Sequence, residues 1–418
     1  MTTLRIALTM ALAFLAGAAL PANGTAGGKT CTAEDLANAV KAAGELLEQK
    51  NMTLTLAVKD SVVLALASAL DPGAEFVDKA RLDAIREADK GIFWDAGMTV
   101  EFKQNWPVVS EVVKGGPADG AGVKAGDRIE KIGDASTQGV THAAVFKLLR
   151  AGAKPGLTLS LRAQGRSEEP RTAAIERKKQ PTPVLSAAEQ WPQNIAYIRV
   201  NGLFEGAGSL LLDKIQAAAD AKAYGLILDL RGAGGPDLAA AAGAGGFFSK
   251  PGAPLFRLED GRGREIRTFA GRETAALGLR AMVLVNAETS GAAETLAALM
   301  SRCKDVLLIG AATAGDDRIR EVVTLPDGRQ LRIAAARVAM AGGGYRGTGV
   351  IPAIEISDET AAREAAAYAP EENDGFQQDL TDKEKDDKAL RTRIGGDAVL
   401  KRAVDILMSL KALDMRGR

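Results

Sequence analysis

"YGLILDLRGAGGPDL", residues 224–238, decides the fold class of this chain. Its apolar first half is typical of a strand buried on both faces, and a glycine-rich turn and the start of a helix follow. Three more apolar strands are predicted in "IAYIRV", "AMVLV" and "DVLLIG", with helices in "GSLLLDKIQAAADA" and "GAAETLAALMSR" between them. Apolar strands that alternate with helices predict a largely parallel sheet covered on both faces.

A second, strand-rich module precedes this α/β region. Short strands are predicted in "GMTVEFK", "PVVSEVV", "DRIEKIG" and "LTLSLRA", with one helix in "THAAVFKLLRAG". The charged, proline-bearing residues 177–183 are expected to be a linker between the two. Helical patterns at residues 32–50 and 57–73 form a front segment, and Pro72 is expected to end the second helix.

The two ends of the chain have their own signatures. Residues 1–26 combine Arg5, a short apolar run and small residues, which is typical of a secretory signal peptide. We therefore expect an exported protein of the periplasm or cell envelope, with no transmembrane segment after signal removal. The charge-dense residues 369–393 are expected to be solvated. The final amphipathic pattern, "DAVLKRAVDILMSLKAL", predicts a helix that packs on its own domain or joins two subunits.

Composition excludes several classes of function. Lys plus Arg and Asp plus Glu both number 53, so no net charge attracts nucleic acid. The single histidine, His142, lies outside the α/β region, which argues against a Ser-His-Asp triad. Cys31 and Cys303 are the only cysteines, so no zinc site and no other metal is predicted. Whether these two thiols form a disulfide is left open.

The glycine-rich turn of residues 229–238 suggests a phosphate cradle, but it does not match in detail. Asp237 occupies the third glycine position of a dinucleotide-binding turn, and no Lys-Ser/Thr pair follows it. No cofactor is therefore predicted. The turn either directs the N–H groups of Gly234 and Gly235 at a developing oxyanion, or is a tight connection that needs small residues.

Five blocks of sequence occur in the order and register of one known family. They are "LASALDPGAEFVDKARLDAIREADKG", "KGGPADGAGVKAGDRIEKIGD", "YGLILDLRGAGG", "VLVNAETSGAAETLA" and "LPDGRQLRIAAARVAMAGGGYRGTGVIPAIEI". On these blocks the chain resembles the carboxyl-terminal processing (tail-specific) serine proteases. The resemblance implies a multidomain α/β fold: a ClpP/crotonase-like core with an inserted PDZ-like domain and a helical N-terminal segment.

The resemblance also sets expected domain limits. The helical segment would cover residues 31–92, the PDZ-like domain 93–180 and the peptidase core 181–360. Residues 361–418 would hold the charged excursion and the final helix.

The family's catalytic positions hold other residues in this chain. The family nucleophile is the serine three residues before a motif glutamate, and counting back from Glu294 gives Gly291, one place after Ser290. The position of the general-base lysine holds Asp316, and that of its supporting glutamine holds Arg320. Because a serine attacks only when a base takes its proton, the resemblance implies lost or impaired proteolysis.

Each of these residues has a second interpretation. Ser290 either reaches the site through a rearranged turn or is the N-cap of the following helix, with Glu294 reaching back to it. The charged residues 316–320 form either a local ion cluster or a solvent-exposed turn with ordinary surface pairs. Lys304 is expected to be a solvated surface charge.

The PDZ-like module implies a peptide-binding groove. An extended peptide C-terminus would add a strand beside "MTVEF", and backbone N–H groups would cap its carboxylate. The candidate peptide-binding residues are Ala96, Gly97, Met98, Val100 and His142. Asp95 is expected to repel that carboxylate, since like charges are brought together. His142 either contacts a ligand hydroxyl or faces solvent.

Three functions remain open at this point. The first is a non-catalytic binder of C-terminal peptides or unfolded envelope proteins. The second is an active serine peptidase that uses Ser290 with an unusual base. The third is a structural envelope protein that self-associates, so that a homo-oligomer is one expected state.

Overall fold

The computed structural model describes residues 63–65, 67–103, 106–138, 140, 142–150, 154–163, 169–272, 277–341, 345, 348–368 and 382–416. The predicted signal peptide, the helix at residues 32–50 and Cys31 lie outside these ranges. The chain divides into two units. The smaller consists of Met1–Asp78 with Ile319–Ala335, and the larger of Lys79–Arg318 with Ala336–Arg418.

Strands and helices follow one another along the described part of the chain, beginning with a short strand. They are β1 (Glu75–Val77), α1 (Lys79–Asp89), β2 (Ile92–Asp95), β3 (Met98–Lys103), β4 (Trp106–Val112), α2 (Pro117–Gly120), β5 (Arg128–Ile132), β6 (Ala135–Ser136), α3 (His142–Arg150), β7 (Gly156–Arg162), β8 (Arg171–Glu176), β9 (Lys178–Pro181), β10 (Leu185–Trp191), β11 (Ile195–Val200), α4 (Gly208–Asp220), β12 (Gly225–Asp229), α5 (Leu238–Gly246), β13 (Pro254–Glu259), β14 (Glu265–Ala270), β15 (Arg280–Val285), α6 (Gly291–Met300), β16 (Val306–Gly310), β17 (Arg318–Thr324), β18 (Gln330–Met340), β19 (Ile354–Glu355), α7 (Asp358–Ala367), α8 (Asp382–Gly395) and α9 (Ala398–Arg416).

The larger unit is built on a six-stranded sheet in the order β10-β11-β12-β15-β16-β19. All neighbours from β11 to β19 are parallel, and β10 runs antiparallel at one edge. Every residue of β12 is buried, as its apolar sequence predicts. On one face, Leu400 and Leu407 of α9 pack with Ile227 and Met282 of the sheet. The predicted parallel α/β core is confirmed.

The strand-rich module forms an antiparallel sheet in the order β3-β4-β5-β7-β8. Its four predicted strands and its helix, α3, are present, and β8 is an additional strand. Alternate residues point into a small core in which Val109, Ile129, Leu159 and Val145 are fully buried. The strand β3 lies at the edge of this sheet, so one of its sides is open.

The segment expected to be a linker contains the strand β9, so that prediction is wrong. β9 pairs antiparallel with β2, and Trp94 lies opposite Lys179. All four side chains of β9 are exposed. Strand pairing uses backbone groups, so an exposed strand such as β9 does not need apolar side chains, and its charged sequence did not indicate a strand.

The C-terminal region contains a helix that the sequence pattern did not indicate. Residues 382–393 of the segment expected to be solvated lie in the helix α8, and the described side chains of α8 are exposed or half-buried. No helix within the described ranges is long and apolar enough to cross a membrane. Cys303 is a free, half-buried thiol 3.7 Å from Ser249 Oγ.

In the smaller unit, β1 pairs antiparallel with the first residues of β18, and β17 pairs with β18. Residues 63–65 and 67–70 are helical, and the helix ends before Asp71, next to the predicted stop at Pro72. Ala67, Ala74 and Leu331 form the buried cluster of this unit. The turn that begins at Asp71 is therefore packed on the β17–β18 pair.

Candidate active site

The glycine-rich turn after β12 meets the N-terminus of α6. Ala233 O accepts a hydrogen bond from Ser290 N at 3.0 Å, and Gly235 O accepts one from Ala292 N at 2.9 Å. The meeting follows from topology, because β12 and β15 are parallel neighbours whose carboxyl ends share one sheet edge. Two predicted motifs more than fifty residues apart thus form one site.

Gly291, at the family's nucleophile position, has no room for a side chain. Its φ is +55°, in the left-handed region that favours glycine. A Cβ atom placed on it would stand 2.7 Å from Gly235 O. Gly235 cannot retreat easily, since its own Cβ position is 2.1 Å from Leu203 O and Leu203 N donates to Gly234 O at 2.7 Å. A serine at residue 291 would require the main chain to move.

The position of Gly235 relative to Gly291 also affects the predicted oxyanion site. Gly235 N is 3.7 Å from the Cβ position of residue 291, farther away than the carbonyl oxygen of the same residue. An oxyanion needs N–H donors, and at this position an oxygen atom is the nearest main-chain group. Gly235 therefore presents its carbonyl oxygen, and not its N–H group, to the Cβ position of residue 291.

Ser290 stands at the N-cap position of α6 with extended backbone angles, but its side chain makes no capping hydrogen bond. Its Oγ lies 3.1 Å from the point where a Cβ on Gly234 would stand. Within the described residues, no side chain forms a hydrogen bond with this hydroxyl. Ser290 is therefore the N-cap residue, as the second interpretation predicts, but without the capping hydrogen bond, and no base in the described part of the chain forms a hydrogen bond with its hydroxyl.

Glu294 does not reach back to Ser290, because its carboxylate ties α6 to the turn after β16. The fully buried side chain accepts hydrogen bonds from Thr313 Oγ1, from Gly315 N at 2.6 Å and from Asp316 N at 3.2 Å. Burial raises the pKa of Glu294 above its ordinary value, and these hydrogen bonds only partly oppose the shift.

Thr313 is a site residue that sequence reasoning missed. Its hydroxyl donates to Glu294 and accepts from Val350 N at 2.7 Å, so it joins three segments. The feature of the sequence that could have indicated Thr313 was its position in "TAGDD", the block that holds the family's lysine position. A charge pattern singles out only the acidic residues of that block, and a threonine hydroxyl carries no such signal.

The charged turn at residues 316–318 is a local ion cluster. Asp316 accepts from Arg318 N at 3.3 Å and from Arg318 Nη1 at 3.4 Å, and its side chain is 35% exposed. Asp317 is only 1% exposed and lies 3.8 Å from Arg337 Nη1. The alternative of a solvent-exposed turn with ordinary surface pairs is therefore wrong. Lys304 is exposed, as expected.

Arg320, at the family's glutamine position, belongs to a structural ion pair of the smaller unit. Its Nε and Nη2 donate to the two oxygens of Asp71, each at 2.8 Å. Gly73 N and Ala334 N also donate to this fully buried carboxylate at 3.0 Å. Burial by itself would raise the pKa of Asp71, but the hydrogen bonds and charge of Arg320 bring it below its ordinary value.

Comparisons with known proteins identify both modules. Residues 194–356 match the model of peptidase family S41, and residues 108–159 match the model of a PDZ domain. The chain is a homologue of the carboxy-terminal processing proteases. The S41 domain is the α/β core that contains Gly291, and the PDZ domain is the strand-rich module.

Individual relatives are about a quarter identical to the chain over the aligned residues. The carboxy-terminal processing protease CtpA of Bacillus subtilis is 27% identical over 288 residues, which cover 68% of this chain and 60% of the relative. The chloroplastic C-terminal processing peptidase of Tetradesmus obliquus is 27% identical over 330 residues, covering 75% and 71%. The chain thus spans about 60% of the length of the Bacillus relative.

A solved structure shows the same fold. A Bacteroides fragilis protein assigned to the S41 proteases superposes with a TM-score of 0.52 at 18% identity, over 84% of this chain and 90% of that one.

An ion network fixes the glycine turn of the S41 domain to α9. The buried Asp229 accepts from Tyr197 OH at 3.1 Å, from Arg199 Nη1 at 2.7 Å and from Arg231 Nη2 at 2.7 Å. Arg231 also donates to both oxygens of Asp397, at 2.9 and 2.7 Å. Burial would raise the pKa of Asp229, but the charges of Arg231 and Arg199 hold it well below its ordinary value.

In the PDZ domain, the groove expected to bind peptide is bordered by β3 and α3. Val100 of β3 and Val145 and Leu149 of α3 are buried, and Met98 is half-buried. His142 is the first residue of α3, and its side chain lies outside the described residues.

One N–H group expected to cap a ligand carboxylate already has a partner. Gly97 N donates to Asp95 Oδ1 at 3.0 Å.

Among the described residues, no group of three or more His, Cys, Asp or Glu side chains could hold a metal ion.

Proposed function

We propose that this chain is an exported homologue of the carboxy-terminal processing proteases that binds polypeptide segments through its PDZ domain without cleaving them. The observation that carries the proposal is the 2.7 Å separation between Gly235 O and the Cβ position of Gly291. It means that the nucleophile position lacks both a hydroxyl and the space for one. Export is supported by the signal-like residues 1–26, and unfolded envelope proteins are the expected ligands.

Acid–base chemistry supports the same proposal. A serine nucleophile needs a base that accepts its proton, and a lysine with a lowered pKa does this. Asp316 occupies the lysine position and is engaged by Arg318. Ser290 has no hydrogen-bonding side chain within the described residues. Within the described part of the chain, no side chain is therefore placed to activate the Ser290 hydroxyl or to accept its proton.

Ligand binding is supported by the open edge of β3. An extended segment that pairs with an edge strand gains main-chain hydrogen bonds, and side-chain pockets between strand and helix give specificity. The buried Val100 of β3 and Val145 of α3 belong to one apolar core, which holds the edge strand and the helix in the same domain. Loss of proteolysis leaves this surface intact.

Proteolysis is tested directly with the full chain. An unfolded protein with an apolar C-terminal tail is incubated with the chain, with the Bacillus subtilis relative as positive control, and labelling by a fluorophosphonate is measured in parallel. We expect no cleavage and no label. Cleavage or labelling that disappears in Ser290→Ala would overturn the proposal and establish a peptidase that uses Ser290.

A self-associating structural role is a separate proposal that rests on α9. Many apolar residues of α9 cover the core sheet, but Leu413 and Met415 near its end are exposed. Sedimentation at micromolar concentration measures the oligomeric state. A monomer, unchanged in a Leu413→Gln variant, would remove this role.

A further inference from the structure

The geometry of the PDZ loop points to a selectivity rule that rests on the proposed binding function. We infer that the groove takes internal extended segments, or ends without charge, and discriminates against a free C-terminal carboxylate. The loop in question is residues 95–98, between β2 and β3. Asp95 is the residue that sets the selectivity.

Asp95 already supplies the carboxylate that this loop would otherwise bind. Its Oδ1 accepts the hydrogen bond of Gly97 N at 3.0 Å. Capture of a chain end relies on such backbone N–H groups being free to donate to the terminal carboxylate. A ligand carboxylate would have to displace the Asp95 oxygen and would then face its negative charge at close range.

The loop is held rigidly, so Gly97 N cannot turn away from Asp95. Ala118 N donates to Ala96 O and Val113 N donates to Gly97 O, both at 2.9 Å. Ala96 and Gly97 are buried. Gly97 has φ +72°, and its Cβ position is 2.9 Å from Pro117 Cδ. The two loop carbonyls are thus held by Val113, which follows β4, and by Ala118 of α2.

Arg150, a cation near the loop, already interacts with the charge of Asp95. The charge of Asp95 supports the ionised form of Arg150, whose pKa burial lowers. The Arg150 guanidinium also stacks 5.3 Å above the ring of Phe93. Arg150 therefore remains charged, and Asp95 already offsets part of its positive charge at the loop.

A neutral ligand meets a favourable partner at the same place. Within the described residues, Asp95 Oδ2 accepts no hydrogen bond, while Oδ1 is used by Gly97. A backbone N–H of a continuing chain, or a C-terminal amide, can donate to this charged oxygen. Strand addition to β3 is unaffected, because the edge of β3 lies beyond the loop.

The test compares ligand ends with the full chain. An array of twelve-residue peptides with apolar residues at alternate positions is made in two forms, one with a free C-terminal carboxylate and one with a C-terminal amide. Hits are measured by fluorescence anisotropy in solution. We expect the amide peptides to bind about tenfold more tightly than the matching acids. An acid must displace the hydrogen bond between Gly97 N and the Asp95 carboxylate, and that charged hydrogen bond is lost on binding.

Two substitutions separate the contributions. Asp95→Gly frees the N–H of Gly97 and removes the charge, so the acid forms should gain at least about tenfold and reverse the preference. Asp95→Asn keeps an acceptor oxygen without the charge and should give an intermediate ratio. Asp119→Asn is the matched control, because Asp119 Oδ2 accepts from Gly115 N at 2.8 Å in the same domain. Its acid-to-amide ratio should equal that of the wild type.

The outcomes distinguish this inference from the proposed function. Tenfold preference of the wild type for acids would overturn the selectivity and leave a non-cleaving binder in place. An unchanged ratio in both Asp95 variants, with unaltered thermal unfolding, would also overturn it. Absence of binding by any peptide to wild type and Asp95→Gly alike would remove the binding function, and the selectivity with it.

Discussion

Gly291 shows how one residue combines a chemical and a steric change. Glycine removes the hydroxyl, and its left-handed φ allows Gly235 O to occupy the space that a side chain would take. Counting from Glu294 predicted the missing hydroxyl. The occupied space depends on main-chain geometry in a turn far away along the chain, which residue types alone do not report.

The first prediction concerns Gly291→Ser. We expect no fluorophosphonate labelling and a loss of at least about 2 kcal/mol in the free energy of unfolding, measured with denaturant. Gly133→Ser is the control, because Gly133 has φ +59° and nothing within 4 Å of its Cβ position. It should cost about 1 kcal/mol from backbone strain alone. Equal losses in the two variants would show that residue 291 is not crowded.

A second prediction at this scale concerns Arg320→Gln, which introduces the family's residue. The change leaves the buried carboxylate of Asp71 without its cation, and we expect a loss of about 3 kcal/mol in unfolding free energy. Arg332→Gln is the control on the neighbouring strand, since Arg332 Nη1 makes one half-exposed contact with Glu75 at 3.4 Å. It should cost less than about 1 kcal/mol. Similar costs would contradict the assigned role of Arg320.

At the scale of elements, Glu294 joins the helix α6 to the turn after β16. Motif counting places the family's nucleophile and base positions on these two elements, where this chain has Gly291 and Asp316. Because the raised pKa of Glu294 reflects burial, its charged form weakens the fold. The connection is therefore sensitive to pH.

The third prediction is a pH profile for Glu294→Gln. A raised folded-state pKa means that the contribution of Glu294 is fully present below its ordinary value of 4.5 and is lost as pH rises through the folded value. Wild type should therefore lose stability relative to Glu294→Gln in denaturant titrations as the pH rises above the ordinary value of 4.5 and through the raised folded-state value.

Asp71→Asn is the control of opposite sign. The lowered pKa of Asp71 gives stability that is present above the ordinary value of 3.8 and is lost as pH falls. Parallel profiles for wild type and Glu294→Gln would contradict the prediction.

The elements also show where sequence reasoning succeeded and failed. The strands β12 and β15 were predicted because burial on both faces demands apolar runs. The strand β9 and the helix α8 were not predicted from the sequence. Such exposed elements are stabilised by backbone hydrogen bonds and by the packing of a few residues, and a pattern of charged residues does not indicate either. The site positions followed from motif counting. Glu294 does not reach back to Ser290 because its acceptor atoms are used by residues about twenty positions later.

At the scale of the whole molecule, the start of α9 is bound to the glycine-rich turn of the S41 domain. Its N-terminal Asp397 accepts from Arg231, 166 residues earlier, and from Leu400 N at 3.0 Å. Arg231 lies in the turn that borders Gly291, so the end of the chain stabilises the centre of the fold. The final helix thus has a structural role within one chain, whatever it does between subunits.

The fourth prediction tests the contact between Asp397 and Arg231 with the variant Asp397→Ala. The variant loses the helix cap and the pairing of Arg231, and we expect a loss of about 2 kcal/mol with faster hydrogen exchange at the start of α9. Asp405→Ala on the same helix is the control, because its pair with Lys401 is exposed on both sides. It should cost below about 0.5 kcal/mol. Comparable hydrogen-exchange rates at the start of α9 in the two variants would refute this role of Asp397.

The carbonyl of Gly235 beside Gly291 has a practical consequence. Biochemists convert active peptidases into traps by deleting the nucleophile, so that captured polypeptides survive purification. Under the proposed function, this chain has that property without any mutation. Affinity purification of the unmodified protein from its native envelope, followed by mass spectrometry of intact chains, should recover its ligands at full length.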